Sequence, residues 1–196
     1  SSSFVECRAN AKRYANEGIL AIAGSGVPRD CFHSSAYVPL NTGPRLSSTI
    51  AAMHAAKATK TSKMVCIIPD IPGLGDWACG GVQAWGKKHG IGVQILTIHP
   101  ANFSAKEVMT RAAAMSPDVI VMNLSKGILL PMMAAAEQMD LAKSIRFVSS
   151  APAYSSDVAK RLGPYWKGRF HVNLEFMPTH YVGADSRNWV GVMDRY

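Results

Sequence analysis

Long apolar runs are missing from this sequence. None of its 196 residues falls in a stretch approaching the ~20 apolar residues that span a bilayer as a helix, so we predict no direct membrane insertion. No segment is low in complexity or has the composition of a disordered chain. Hydrophobic side chains make up 48% of the sequence, enough to bury a full core in one domain or in two.

Acidic residues are also scarce. The 13 Asp and Glu residues are outnumbered by 21 Lys and Arg residues, which leaves a net charge of +8 and raises the question of a nucleic-acid partner. Several basic residues lie near predicted helix ends and turns, namely Lys57, Lys60, Lys63, Lys87, Lys88, Arg161, Lys167 and Arg169. No basic stripe or stacking-aromatic motif accompanies them, so we interpret them as solvated charges and predict no nucleic-acid partner.

The four cysteines are too few for a dense disulfide scaffold. Cys66 in a predicted strand and Cys79 in a predicted helix are typical of small buried hydrophobes. Cys7 and Cys31 bracket a predicted helix–strand unit and could meet in space, so they are the candidate disulfide and the one hint of an oxidising compartment. No two Cys or His residues stand at zinc-ligand spacing, and we predict no metal and no cofactor.

Catalytic motifs are absent as well. The sequence contains no Walker A motif, no G-x-S-x-G elbow, no H-E-x-x-H and no paired-carboxylate cluster. Gly73–Ala78 fits the loose dinucleotide pattern G-x-G-x-x-G/A, but residues 70–72 separate it from the strand, and no acidic residue lies between Asp76 and Glu107 to bind a ribose. Six histidines, His33, His54, His89, His99, His171 and His180, are each isolated in sequence. A spatial cluster of them stays open, but the sequence favours a binding protein over an enzyme.

A repeated strand–loop–helix unit is what the sequence does contain. Met64–Ile68 is apolar without polar alternation, which is typical of a parallel strand covered on both faces, and the helix after it ends at Gly90. Further strands are predicted at Val93–Ile98, Val119–Leu124 and Ile145–Ser149, with helices at Ser104–Met115 and Ile128–Met139. Ser104 and Glu107 form a capping box for the first of these helices. The alternation predicts an α/β fold with a doubly wound parallel sheet.

The flanking segments extend this pattern. The remaining predicted strands are Ile19–Ala23, Tyr37–Asn41 and Phe170–Phe176. The remaining predicted helices are Phe4–Glu17, a segment from about Leu46 to Thr59, Ser156–Leu162 and a start at Asp185–Tyr196. Ser47, Ser48 and Thr49 crowd one helix start, where they would cap the helix or hold an anion.

Three polar loops follow predicted strands, at Gly24–Gly26, Asp70–Gly75 and Ser149–Tyr154. In open α/β sheets, ligands bind outside the carboxyl ends of the strands. The two glycines of the first loop allow close backbone approach and Ser25 offers a hydroxyl, although a tight turn is the commoner meaning of such a tripeptide. These loops are therefore suited to a small polar ligand.

Five motifs in this order and spacing point to a known family: KMVCIIPD at Lys63–Asp70, Gly75, GIGV at Gly90–Val93, SPDVIV at Ser116–Val121 and FVSS at Phe147–Ser150. Together they resemble the type I periplasmic solute-binding proteins of ABC importers, in the leucine/isoleucine/valine-binding branch, through most of the chain. The resemblance implies two α/β lobes that close over a ligand by a hinge. It also implies a membrane permease as partner and a periplasmic or extracellular location.

On this resemblance the first lobe is only partly present. Residues 1–41 would form part of lobe 1, residues 42–176 lobe 2, and residues 177–196 a return to lobe 1. We therefore expect a fragment of a longer protein. No signal peptide is visible, and the abrupt start at Ser1 is compatible with a processed or truncated amino terminus.

The resemblance also implies which residues bind the ligand. Gly24, Ser25 and Gly26 would hold its carboxylate through backbone N–H groups and the hydroxyl. Second-lobe loops would close over its other end through Asp70, Ile71, Leu74, Asn123, Ser125, Ser149, Ser150 and Tyr154.

Two departures from the family bear on the ligand. Leu74 stands where the family often has an aromatic residue, and Ser149–Tyr154 lacks the acid that usually binds a ligand ammonium. A buried ammonium without a partner is costly. We therefore expect a carboxylate or another polar compound without an amine, with an amino-acid-like ligand as the alternative.

Two other classes stay open. The same lobes serve as ligand-sensing domains of regulators or receptors, and a regulator would carry a helix-turn-helix that this stretch lacks. A doubly wound α/β enzyme is the third interpretation, and it requires a nucleophile, a base and an oxyanion site brought together in space.

Overall fold

The computed structural model describes residues 6–23 and 26–175 of the chain. The helix predicted at Asp185–Tyr196, the residue Phe176 and the loop residues Gly24 and Ser25 lie outside these described residues. The strands are β1 (Ala21–Ala23), β2 (Tyr37–Pro39), β3 (Lys63–Pro69), β4 (Gly92–Ile98), β5 (Val119–Met122), β6 (Arg146–Ser149) and β7 (Phe170–Val172). The helices are α1 (Glu6–Asn16), α2 (Arg29–Phe32), α3 (Gly43–Ala58), α4 (Gly75–Lys88), α5 (Ala105–Ala114), α6 (Lys126–Gln138) and α7 (Ser156–Arg161).

The larger sheet has five parallel strands in the order β4-β3-β5-β6-β7. Side chains of the central strand β3 alternate between its faces. Val65 and Ile67 pack with α5 and α6, whereas Met64, Cys66 and Ile68 pack with α3 and α4. All five are buried, because helices cover both faces of the sheet. The predicted doubly wound parallel α/β fold is confirmed.

The strand order reverses beside β3. The chain passes from β3 to β4 on one side and later returns to place β5 on the other side, with α4 on one face and α5 and α6 on the opposite face. The loops that leave the carboxyl ends of β3 and β5 therefore diverge and open a crevice. In doubly wound sheets this reversal is where ligands bind.

The smaller sheet pairs β1 with β2 in parallel. Its core is small and consists of Cys7, Ala23, Cys31 and Tyr37. A disulfide joins Cys7 of α1 to Cys31 of α2, with the Cα atoms 5.3 Å apart, as the sequence proposed. The short helix α2 has no counterpart among the predicted elements.

A second disulfide joins Cys66 of β3 to Cys79 of α4, with the Cα atoms 5.9 Å apart. The sequence-based interpretation of this pair as unlinked buried hydrophobes is wrong, although both residues are fully buried as expected. They are 13 positions apart, and the segment between them includes the whole exit loop of β3, so only the packing of α4 against β3 brings the sulfurs together.

Most predicted element ends agree with the structure. The Ser104 hydroxyl accepts a hydrogen bond from the N–H of Glu107 at 3.3 Å and caps α5. Gly90, with φ of +69°, follows the end of α4, where the left-handed conformation favours glycine.

Helix α3 begins earlier than predicted, at Gly43, with Pro44 in its first turn, a position that proline favours. Ser47, Ser48 and Thr49 therefore lie inside the helix. The sequence had suggested that they cap the helix or hold an anion at its start, and both suggestions are wrong.

Candidate ligand-binding cleft

A cavity of about 410 Å³, which we call the inner cavity, lies at the carboxyl ends of the five parallel strands. This volume is within the range of about 300–1,000 Å³ that is typical of small-ligand sites. Every strand of the larger sheet leads into its lining, and the loop between β1 and α2, the loop after β2 and α3 close the other side. The lining residues are Val27, Asn41, Pro44, Ser47, Pro69, Ile71, Leu74, Pro100, Asn123, Ser125, Ile128, Ala151, Pro152 and Glu175.

Asn123 is a buried polar side chain of this lining, with 5% of its surface exposed; among the polar residues of the lining only Ser47 is more buried. Its Nδ2 donates to the hydroxyl of Ser48 at 2.8 Å and more weakly to the carbonyl oxygen of Pro44 at 3.4 Å. Its backbone N–H donates to the carbonyl oxygen of Ile67 at 3.0 Å and extends the β3–β5 pairing. No described residue donates to its Oδ1, so this oxygen can accept a hydrogen bond from a ligand.

Ser47 joins three parts of the cavity wall. Its Oγ accepts from Nδ2 of Asn173 at 3.0 Å and from the N–H of Ala151 at 3.4 Å. Because Ser47 is 1% exposed, these bonds satisfy a buried hydroxyl and hold α3 against the loops after β6 and β7. The role of Ser47 is therefore to position the wall rather than to hold an anion at a helix start.

The loop between β1 and α2 is closed by Asn41. The N–H of Gly26 donates to Oδ1 of Asn41 at 2.6 Å, and Nδ2 of Asn41 donates to the carbonyl oxygen of Gly26 at 2.9 Å. A Cβ at position 26 would lie 2.9 Å from Cβ of Pro39 and 3.0 Å from Cβ of Cys31, so a side chain has no room there. The N–H of Gly26 that was predicted to hold a ligand carboxylate is thus already used by Asn41.

The other predicted site residues separate into three groups. Ile71, Leu74, Asn123 and Ser125 line the inner cavity, and Leu74 is 3% exposed. Ser149 and Ser150 are fully buried behind the lining. β6 ends at Ser149, as predicted, but Ser149 pairs there with Met122 of β5 and Val172 of β7. Ser149 donates its hydroxyl to the carbonyl oxygen of Met122 at 2.6 Å.

Two further predicted residues lie away from the inner cavity. Tyr154 is 49% exposed and lines none of the described cavities, because a 3-10 turn at Ala151–Ala153 carries it outward. Asp70 points to a second cavity, described next.

A second and more open cavity of about 830 Å³, which we call the outer cavity, adjoins the first. Ile71 lines both of them. The outer cavity is rich in charge and is lined by Arg29, His33, Arg45, Asp70, Ile71, Pro72, Gly73, Gly75, Asp76, Trp77 and Thr97. An apolar chamber and a charged chamber therefore share one wall.

Glu175 is a residue of the inner cavity that the sequence did not single out. It follows β7, and its carboxylate accepts a hydrogen bond from the hydroxyl of Thr42 at 2.9 Å. The loop after β6 contains no acid, as the sequence showed, but Glu175 supplies one from the neighbouring strand. The expectation that the ligand lacks an amine rested on the absence of such an acid.

A sequence profile described as periplasmic binding protein matches residues 1–196, which is the whole chain. The chain belongs to the periplasmic binding protein family. No curated protein matches its sequence.

Solved structures with this fold include three transport proteins. A branched-chain amino acid ABC transporter from Thermus thermophilus with bound valine has a TM-score of 0.77 and 13% identity, over 96% of this chain and 49% of its own. A solute binding protein from Rhodopseudomonas palustris BisB5 in complex with 3,4-dihydroxy benzoic acid has a TM-score of 0.70 and 17% identity, over 95% and 51%. A fatty acid ABC transporter substrate-binding protein from Thermomonospora curvata has a TM-score of 0.78 and 14% identity, over 96% and 49%.

This periplasmic binding protein chain thus spans about half the length of those structures. The likeness confirms the predicted two-lobed type I fold with one lobe only partly present. The lobe boundaries at residues 41 and 176 stay predictions.

The side chains with shifted pKa values in this periplasmic binding protein lie mainly outside the inner and outer cavities. Hydrogen bonds from the backbone N–H groups of Ser62 and Lys63, at 2.7 and 2.9 Å, lower the pKa of the Asp118 carboxyl. This carboxylate lies at the amino end of β5, opposite the cavities. Burial lowers the pKa of His171, whose ring centroid is 5.1 Å from that of His54.

Neither a metal-binding cluster nor a membrane-spanning helix is found among the described residues. Within residues 6–23 and 26–175, no three His, Cys, Asp or Glu side chains are grouped so that they could hold a metal ion. None of the helices in this part of the chain combines the length and the apolar character needed to cross a membrane.

Proposed function

We propose that this chain is part of an extracytoplasmic solute-binding protein that captures a small ligand and delivers it to the permease of an ABC importer, without catalysing a reaction. The inner cavity carries the proposal. All five strands of the larger sheet end at one chamber with mainly apolar walls and a few convergent polar groups, as in small-molecule binding sites. The two disulfides support an oxidising location, the periplasm or the cell exterior.

The ligand class that suits the cavity best is a carboxylate on an apolar body. Ile71, Leu74 and Ile128 offer apolar contacts, while Asn123 and Ser125 offer hydrogen bonds. Valine, 3,4-dihydroxy benzoic acid and fatty acids, the compounds named for the three similar structures, all combine an acid group with an apolar part. Leu74 is smaller than the aromatic residue that the family often has at this position, so it leaves more room in the inner cavity for the apolar part of the ligand.

An amino acid is the second candidate, and Glu175 favours it. Its carboxylate lines the inner cavity and has only one described partner, Thr42. A ligand ammonium beside Glu175 would form a charge-assisted hydrogen bond and would not be left unpaired.

Thermal unfolding of the full-length protein against a panel of compounds tests the proposal. The panel contains valine, 4-hydroxybenzoate, 3,4-dihydroxybenzoate and octanoate. A ligand present at ~100 times its Kd that binds only the folded state adds about 2.7 kcal/mol of stability and raises the unfolding midpoint. A shift with one of these acids supports the proposal, whereas no shift with any of them, together with turnover of a substrate, would replace it by the enzyme interpretation.

The variant Glu175→Gln separates the two ligand classes. It removes the negative charge but keeps the size of the side chain. If the ligand is an amino acid, valine affinity should fall by about 10-fold or more, since a hydrogen bond to a charged group contributes about 1.5–3 kcal/mol. If the ligand is a carboxylate without an amine, the affinity for 4-hydroxybenzoate or octanoate should stay the same or rise slightly. Thr42→Val is the matched control, because it removes the described partner of Glu175 without changing the charge.

A further inference from the structure

Arg45 is held in a groove that α4 provides. It lies in the first turn of α3, and its Nη1 donates to the carbonyl oxygen of Trp77 at 2.9 Å. A Cβ added at Gly80 would lie 3.2 Å from Nη1 of Arg45. One added at Gly81 would lie 2.5 Å from Oγ1 of Thr49 and 2.9 Å from both Cγ and the backbone oxygen of Arg45. A side chain at Gly80 would therefore push the guanidinium of Arg45 aside, and one at Gly81 would push α3 away from α4.

Gly80 and Gly81 lower the stability of α4, and the contacts of Thr49 and Arg45 explain why they are present. Gly80 and Gly81 are adjacent in the interior of α4, where each glycine is less favourable than alanine by roughly 0.5–1 kcal/mol. The structure shows two packing reasons: Gly81 lets α3 approach α4 closely at Thr49 and Arg45, and Gly80 leaves space for the guanidinium of Arg45. This fit fixes the rotamer of a long and otherwise mobile cation.

The guanidinium keeps unused donors. Arginine has five N–H donors, and the Trp77 carbonyl is the one acceptor for the Arg45 side chain among the described residues. Asp70 and Asp76 line the same outer cavity, but none of the ion pairs in the described part of the chain includes Arg45. Arg29 of α2 lines the same cavity. The outer cavity thus holds an oriented cation with free hydrogen-bond donors and a second cation in its lining.

We propose that Arg45 is the residue that binds the acidic group of the ligand, with Arg29 as a second positive charge. The acid would lie in the outer cavity and the apolar body would extend past Ile71 into the inner cavity, since Ile71 lines both. A guanidinium can hold a carboxylate with two parallel hydrogen bonds. This inference rests on the proposed function. It assigns to Arg45 the binding of the ligand carboxylate, which the N–H of Gly26 cannot perform because it already donates to Asn41.

A purely structural role for Arg45 is the competing explanation. In that case the side chain would only bridge α3 and α4, and its removal would lower stability without discriminating between ligands. The two explanations differ in their response to ligand charge. An anion-binding residue must distinguish an acid from its uncharged amide, whereas a helix bridge must not.

Isothermal titration of the full-length protein with acid and amide pairs tests the inference. The pairs are 4-hydroxybenzoate with 4-hydroxybenzamide, octanoate with octanamide, and valine with valinamide. We expect Arg45→Gln to weaken the acid that binds best by about 10- to 100-fold, because hydrogen bonds to charged groups have that size, and to change its amide by less than about 2-fold. Arg45→Lys should give an intermediate loss, since an ammonium lacks the planar fork.

Gly80→Ala and Arg29→Gln complete the test. Gly80→Ala keeps the charge of Arg45 but moves its Nη1, so it should weaken the acid and leave the amide unchanged. Arg29→Gln should reduce acid affinity by a smaller factor than Arg45→Gln. Unfolding midpoints of all variants without ligand show whether each one folds.

Two results would count against the inference in different ways. If acid and amide bind the unsubstituted protein equally well, or if Arg45→Gln lowers the unfolding midpoint and keeps acid affinity, Arg45 is a helix bridge and the proposed function stands. If no compound of the three pairs binds the unsubstituted protein, the proposed function fails and this inference fails with it.

Discussion

The two parallel sheets of this chain reach stability in different ways. The five-stranded sheet buries both of its faces under helices, and residues such as Phe147 in β6 are fully inaccessible. The two-stranded sheet has a core of four buried residues held by the Cys7–Cys31 disulfide, and it leaves Ile22 64% and Leu20 61% exposed. The difference shows that the described residues form one wall of the cleft as a packed scaffold and only part of the other, a small unit tied by a covalent link.

The largest effect is expected from a core residue of the five-stranded sheet. Phe147 is fully buried and meets Trp166 edge to face, with ring centroids 5.2 Å apart. Phe147→Ala should lower the free energy of unfolding by about 4 kcal/mol, through lost burial and the cavity left behind. Denaturant unfolding measures this loss. Ile22→Ala in the two-stranded sheet is the control, and a loss there as large as that of Phe147→Ala would contradict the contrast between the sheets.

Removing the Cys7–Cys31 link should break the smaller sheet selectively. The double variant Cys7→Ser with Cys31→Ser should lose about 3 kcal/mol, because a closed loop of this size restricts the unfolded chain by about that amount. Hydrogen exchange should accelerate in β1 and β2 and stay slow in β3 and β5. Uniform acceleration in both sheets would show that they unfold as one unit.

Replacement of a glycine in the cleft wall should have a smaller effect. Gly26→Ala places a Cβ 2.9 Å from Pro39 and 3.0 Å from Cys31, so we expect a loss of about 1–3 kcal/mol from overpacking. Gly127→Ala is the matched control, since nothing lies within 4 Å of a Cβ there. Thermal unfolding compares the two, and equal midpoints would mean that the loop at Gly26 shifts without strain.

The smallest effect concerns Asp118, which joins the amino ends of β3 and β5. Its lowered pKa means that the unfolded chain binds protons more readily, so this stabilisation is fully present above the unfolded pKa near 3.8 and is lost as the pH falls through the folded pKa. Asp118→Asn should lose about 1 kcal/mol at pH 7, a low value because the carboxylate is partly exposed to solvent. Urea unfolding at pH 7 and near pH 3 measures it, and a difference that persists undiminished in acid would assign the effect to something other than charge.

Much of the five-stranded sheet could be predicted because its signals are local. The unbroken apolar run of β3 indicated burial on both faces, and Ser104 marked the start of α5 through a contact three residues away. The weakest predictions fell on the two-stranded sheet, where α2 was missed because four residues show no helical period.

The cleft was harder to predict than the fold. Ile71, Leu74, Asn123 and Ser125 were expected in the site and do line the inner cavity, because strand ends in a parallel sheet gather at one edge. Ser149 and Ser150 met the same rule and are nevertheless buried. The rule places a loop at the edge but does not say which of its side chains neighbouring strands and loops will cover.

The alternation of strands and helices, the caps and the apolar strand faces were determined by the sequence alone, since each depends on residues within a few positions of one another. The tertiary structure alone decided the contacts between distant residues. Asn123 bonds Ser48 across 75 positions, Cys66 meets Cys79 only where α4 packs on β3, and Arg45 finds its seat on Gly80 and Gly81 of another helix. No local period encodes such pairs, because they depend on how complete elements pack against each other.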